Sequence, residues 1–132
     1  KLPERPPLNP DFAPLLGALS DFRASAANLD RALEALQSKG DASPQALARV
    51  NDAVVGVERK FLTPDGLFGR PWFKHVLYAP GLTTGYASWP FPGMTQAIKD
   101  HDAVLWDREQ KKVLDCLKSP CAAMAAAAKL AS

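Results

Sequence analysis

The chain has 132 residues and a mass of 14.2 kDa, one domain's worth of core, and its 47% hydrophobic and 23% charged residues exclude wholesale disorder. Sixteen Lys+Arg against 14 Asp+Glu leave a net charge of +2, too little for an electrostatic nucleic-acid binder, so no nucleic-acid partner is expected. Two cysteines cannot build a disulfide framework and two histidines are a thin supply for metal ligands, so neither a metal nor another cofactor is expected in this chain.

Residues 1–10, KLPERPPLNP, hold four of the 12 prolines and read as an extended arm. They carry no apolar core of a signal peptide and no initiator Met, which suggests an excised piece of a longer chain. No apolar run nears the roughly 18 residues of a membrane span. The first helix is expected from about Asp11 to Ser38. Phe12, Leu19, Ala26 and Leu33 recur every seven residues, with Leu15, Phe22, Leu29 and Leu36 between them, so one apolar stripe runs along a single face. Gly40 is a plausible stop. Ser43-Pro44 opens a second helix, striped by Leu47, Val50, Val54, Val57 and Phe61, and the turn residues Thr63-Pro64-Asp65-Gly66 end it. Its four-residue link to the first helix implies an antiparallel hairpin.

Residues 62–93 differ sharply. They hold five prolines, five of the eight glycines and seven of the 11 aromatics. From Gly66 to Ile98 there is no Asp or Glu, whereas Arg70 and Lys74 are present. An ordered, aromatic, slightly basic loop of this length suits a protein interface or the rim of a pocket for an anionic ligand. A short helix follows from Met94 to about Lys99. A longer one runs from about Trp106 to Ala131, with Trp106, Val113, Leu117 and Met124 near one face and a kink, or a stop and capped restart, at Ser119-Pro120. No strand pattern persists, so the expected fold is all-α: a four-helix bundle of two long antiparallel helices, a long ordered loop, a short helix and a kinked C-terminal helix over residues 11–132. His75 reads as a hydrogen-bonded structural histidine, His101 between two aspartates as part of a helix end or linker, and Cys116 and Cys121 as two small buried thiols.

Two stretches carry a family resemblance. Val57-Glu58-Arg59-Lys60-Phe61-Leu62-Thr63-Pro64-Asp65-Gly66-Leu67, then Arg70-Pro71-Trp72-Phe73-Lys74-His75-Val76-Leu77-Tyr78-Ala79-Pro80, resemble the C-terminal helical domain of glutamate carboxypeptidase II and its relatives, the transferrin-receptor-like dimerisation domain. Gly85-Tyr86-Ala87 and Phe91-Pro92-Gly93 continue the pattern at the family spacing. The match is specific over about 57–98 and looser over the first and last helices. The resemblance implies a homodimer, with Trp72, Phe73, Trp89 and Phe91 as loop or dimer-interface residues. It implies a parent zinc peptidase of carboxypeptidase or aminopeptidase type, whose separate protease domain holds two zinc ions and binds peptide substrates. This chain alone is then not catalytic.

The family's substrate loop carries an adjacent Lys and Tyr that bind the substrate's terminal carboxylate. Tyr86 matches the Tyr, and Gly85 stands where the Lys would be, removing a charge. The resemblance also implies a secretory-pathway, vacuolar or membrane-anchored parent. A non-enzymatic receptor or sorting relative, or a stand-alone helical interaction module, are the competing readings.

Overall fold

The computed structural model describes residues 4–83 and 85–132; of the expected arm over 1–10, residues 1–3 lie outside the described residues. Residues 4–12 hold no helix or strand. Helix α1 spans Ala13–Lys39, and the Asp11 carboxylate accepts from the Ala13 N–H at 2.9 Å, satisfying one of the unpaired amides at the helix start. It stops at Gly40, whose φ of +67° is the left-handed conformation that only glycine adopts without strain.

Helix α2 spans Pro44–Glu58. Ser43 is extended at φ −65° and ψ 152°, and its Oγ accepts from the Ala46 N–H at 3.2 Å. The helix tightens into a 3₁₀ turn over Arg59–Phe61, and the Gly66 N–H then donates to the Thr63 carbonyl, closing the expected turn. Strands β1 (Tyr78–Pro80) and β2 (Ser88–Pro90) pair antiparallel, with Ala79 opposite Trp89. The expectation of no strand is therefore corrected. Three-residue strands with a proline in each carry no alternating pattern, and only the closure of the surrounding loop brings them together.

Helix α3 spans Pro92–Lys99 and α4 spans Ala103–Ala131. Of the two outcomes expected at Ser119-Pro120, a kink or a stop and restart, the stop is absent: α4 is one element with Pro120 inside it. A proline in a helix interior loses one hydrogen bond and crowds the preceding turn, but Pro120 is fully buried, and its packing and the helix-favouring alanines beyond it offset that cost. The molecule is mostly helical, as the stripes predict, and among the described residues no helix is long and apolar enough to cross a membrane.

Two compact units divide the chain. One combines the residues up to Leu15 with Phe61–Cys116; the other combines Leu16–Lys60 with Leu117–Ser132. In the helical unit, Leu29 of α1 and Met124 and Ala127 of α4 are buried together, packed by Phe22, Ala26 and Leu33, by Ala53, Val54 and Val57 of α2, and by Ala128. Each buried Leu or Met contributes about 1.5–3 kcal/mol. In the loop-bearing unit the core is Phe61, Leu67, Val76, Ala79, Met94, Ala97, Leu105, Trp106 and Val113. Phe12 lies edge-on to Trp106 at 5.3 Å, and Gln110 Nε2 donates to the Asp11 carbonyl at 2.8 Å.

Candidate functional site

The aromatic loop is held by backbone bonds between its own strands of chain. Thr63 N–H donates to Lys74 O at 2.8 Å, Leu67 N–H to Phe73 O at 2.9 Å, Val76 N–H to Phe61 O at 3.0 Å, and Phe91 N–H to Leu77 O at 2.7 Å. Lys74 Nζ reaches the Pro64 carbonyl at 2.6 Å. Two glycines make the tight folding possible. Gly66 and Gly69 both sit at φ +70°; a Cβ on Gly66 would collide with the Pro71 backbone, and one on Gly69 would meet Leu82 Cδ1 at 2.8 Å.

A buried ion pair fastens this loop to α4. Glu109 is only 2% exposed, and its Oε1 accepts from Arg108 Nε at 3.1 Å and Lys112 Nζ at 3.2 Å. Lys112 Nζ also donates to the Gly66 carbonyl at 3.1 Å. The other carboxylate oxygen fills the space that a side chain on Gly93 would need. One carboxylate thus ties the start of the loop and the start of α3 to a single helix. Removing Lys112 would leave the buried Glu109 carboxylate with only the exposed Arg108 as its cation. Sequence reading missed Glu109 because an acidic residue three positions before a lysine on a helix looks like any solvated pair.

The structure distributes the predicted site residues unequally. Tyr86 is fully exposed in the β1–β2 connection, and the neighbouring Gly85 has open space where a side chain would project. Trp72 is 71% exposed, with its ring 6.4 Å from that of half-buried Phe73. Trp89 is half-buried and takes the Lys99 ammonium over its ring at 4.5 Å. Phe91 is half-buried at φ 44° and ψ 60° as the residue that starts α3. Phe73, Trp89 and Phe91 are thus half-buried, while Trp72 and Tyr86 face solvent.

His75 is hydrogen-bonded, as expected: its Nδ1 accepts from the Leu77 N–H at 3.3 Å, and its ring lies tilted 4.3 Å from that of Tyr78 and stacked 6.0 Å from that of Phe61. His101 has φ 51°, and its Nδ1 lies 3.0 Å from the Arg5 carbonyl. Asp102 beside it starts α4, accepting from the Leu105 N–H at 2.9 Å and from Arg5 Nη1 at 2.7 Å. Those bonds, the backbone one first, hold its carboxyl below the usual carboxylate range. Cys116 is a buried free thiol, pushed up in pKa by desolvation; Cys121 is free and half-buried, contrary to the expectation of burial, with Sγ on the Leu117 carbonyl at 3.2 Å. Among the described residues no three His, Cys, Asp or Glu side chains come together to hold a metal.

Arg70 is the other residue whose role the sequence did not show. It lies 4% exposed in the turn after Gly69, with Cζ 5.9 Å from the Phe73 ring, and neither Nε nor Nη1 has a hydrogen-bond partner. Desolvation lowers its pKa from the usual guanidinium value.

Striped helices with a long aromatic loop between the second and third can be compared directly with known domains. The transferrin receptor-like dimerisation domain family matches residues 10–125, nearly the whole chain. The chain belongs to this family. Members of the wider group in which the domain occurs are similar over most of these residues. A "Probable glutamate carboxypeptidase" of Arabidopsis thaliana is 31% identical over 80% of this chain and 15% of its own length. Another, of Zea mays, is 36% identical over 72% of this chain and 14% of its own length. An aminopeptidase of Rattus norvegicus is 36% identical over 67% of this chain and 11% of its own length. The transferrin receptor-like domain therefore spans about one seventh of the length of the first two of these relatives.

Proposed function

We propose that this chain is the dimerisation and substrate-loop domain of a glutamate-carboxypeptidase-like zinc peptidase, not catalytic by itself. The family match over residues 10–125 carries the dimerisation reading. Supporting it, Leu16 at 64% and Val55 at 61% leave large apolar side chains in water on α1 and α2, surface that self-association would bury. On this reading the two zinc ions and the hydrolytic chemistry belong to the protease domain of the parent. The loop's contribution is Tyr86, whose exposed phenol can donate a hydrogen bond to a substrate carboxylate. Gly85 supplies no cation beside it, so recognition of an acidic C-terminal residue is weakened relative to a lysine-bearing loop.

Sedimentation of the chain should show a concentration-dependent dimer, lost in Leu16→Asp with Val55→Asp while helicity is kept. A monomer up to millimolar concentration overturns the dimerisation reading. In the parent peptidase, Tyr86→Phe should raise KM roughly tenfold to a hundredfold, the value of one hydrogen bond to a charged group, with kcat little changed. Unchanged kinetics on every peptide would leave dimerisation as the domain's only role.

A further inference from the structure

The Arg70 guanidinium stands out among the buried groups. A guanidinium does not lose its proton in a protein, so burying its Nε and Nη1 without a hydrogen-bond partner leaves donors on a charged group that an acceptor, best of all an anion, would satisfy. The surrounding sequence offers none: there is no Asp or Glu from Gly66 to Ile98. The Phe73 ring near its Cζ provides a cation–π contact but accepts no N–H from the fork. By contrast, the other buried ion in this unit, Glu109, has two cationic partners.

We propose that Arg70 is a receptor for an Asp or Glu carboxylate carried on a polypeptide segment outside these 132 residues, docking against the adjoining loop. The inference rests on the reading of this chain as one domain of a longer peptidase. Planar guanidinium and carboxylate groups match as bidentate partners. The neighbouring surface favours a polypeptide over a small free acid. Trp72, two residues along, is 71% exposed, and Leu82, packed on Gly69, is 38% exposed. Exposed aromatic and aliphatic side chains beside an arginine are the composition of a protein-interface core. The relatives supply ample chain for such a segment, since the stretches matched here make up only 15% and 14% of their lengths.

The test follows the Arg70 Nε–H resonance by NMR in this chain and in the longer protein. In this chain, acetate at constant ionic strength should move the resonance downfield in a saturable way, and the neutral isostere acetamide should not. Arg70→Lys should weaken the acetate response, read from the Trp72 ring signals, about tenfold, because an ammonium offers no fork. In the longer protein the resonance should already sit at the acetate-bound position and ignore added acetate.

A resonance insensitive to acetate in this chain overturns the proposal, as does an acetate response that persists undiminished in the longer protein. A shift that appears only on dilution through the dimer range assigns the carboxylate to a second copy and overturns the stated source. The sedimentation dimer is measured separately. A dimer whose Arg70 ignores acetate defeats this inference alone, and an acetate-responsive Arg70 in a strict monomer defeats only the dimerisation reading.

Discussion

The two units of the molecule are stabilised by different means. In the helical unit, α1, α2 and the end of α4 are joined by repeated contacts between Leu, Val, Met and Ala, and any one of them resembles the next. In the loop-bearing unit, single atoms decide the outcome: a glycine without a Cβ against a proline backbone, a carboxylate shared between two cations, a lysine on a carbonyl 46 residues away. The first kind of core tolerates local error because it averages over many apolar contacts. The second, around an apolar core of its own, depends in addition on these single contacts, and a change at one of them is felt in the loop it holds.

All three tryptophans, Trp72, Trp89 and Trp106, fall in the loop-bearing unit, so their fluorescence reports that unit while far-ultraviolet circular dichroism reports helices in both. The largest effect is expected from Leu29→Asp. An unpaired carboxylate in the apolar cluster should cost on the order of 4 kcal/mol or more and abolish most helicity; retained full helicity would show that the stripe is not the core. Next comes Gly66→Ala. Left-handed strain of about 1–2 kcal/mol and a clash with Pro71 of about 1–3 kcal/mol should lower the unfolding midpoint seen by tryptophan fluorescence. An equal shift of the fluorescence and dichroism midpoints would mean that the units unfold as one, and the contrast between them would be structural only.

Ser43→Ala should cost about 1 kcal/mol by removing the cap on α2, read as an earlier loss of dichroism with little change in the tryptophan signal. The smallest effect is on pH dependence. Asp102 has a folded pKa below its unfolded value, so its bonds stabilise the protein above the unfolded carboxylate pKa, and that contribution disappears as pH falls through the folded one. The stability gap between Asp102→Ala and the parent chain should therefore close in acid, measured by urea unfolding at descending pH. A gap that stayed constant would assign the effect of Asp102 to something other than its ionised carboxylate.

Much of the helical unit could be read from the chain because its signals are local. Heptad spacing marked α1, Ser43-Pro44 marked the start of α2, and Gly40 marked the end of α1, each within a few residues of the observed boundary. The stripe did not announce how deeply each residue lies: Leu15 and Leu29 are buried, whereas Phe12 remains 44% exposed. Periodicity names a face, and depth depends on what the face meets. The loop was visible as a composition, and Tyr86 and Gly85 as motif positions, but the strands around them were not.

By itself, then, the amino-acid order determined the helices, their caps and stops, the acid-free aromatic loop and the family, because backbone preference and side-chain period act over a few residues. The passage of α4 through Pro120, the pairing of β1 with β2, the Glu109–Lys112 clamp and the lack of hydrogen-bond partners at Arg70 Nε and Nη1 were decided only in three dimensions. Each depends on groups distant in the chain becoming neighbours in a dry interior. There, the presence or absence of one partner settles whether a proline is tolerated, a strand forms or a charge is satisfied.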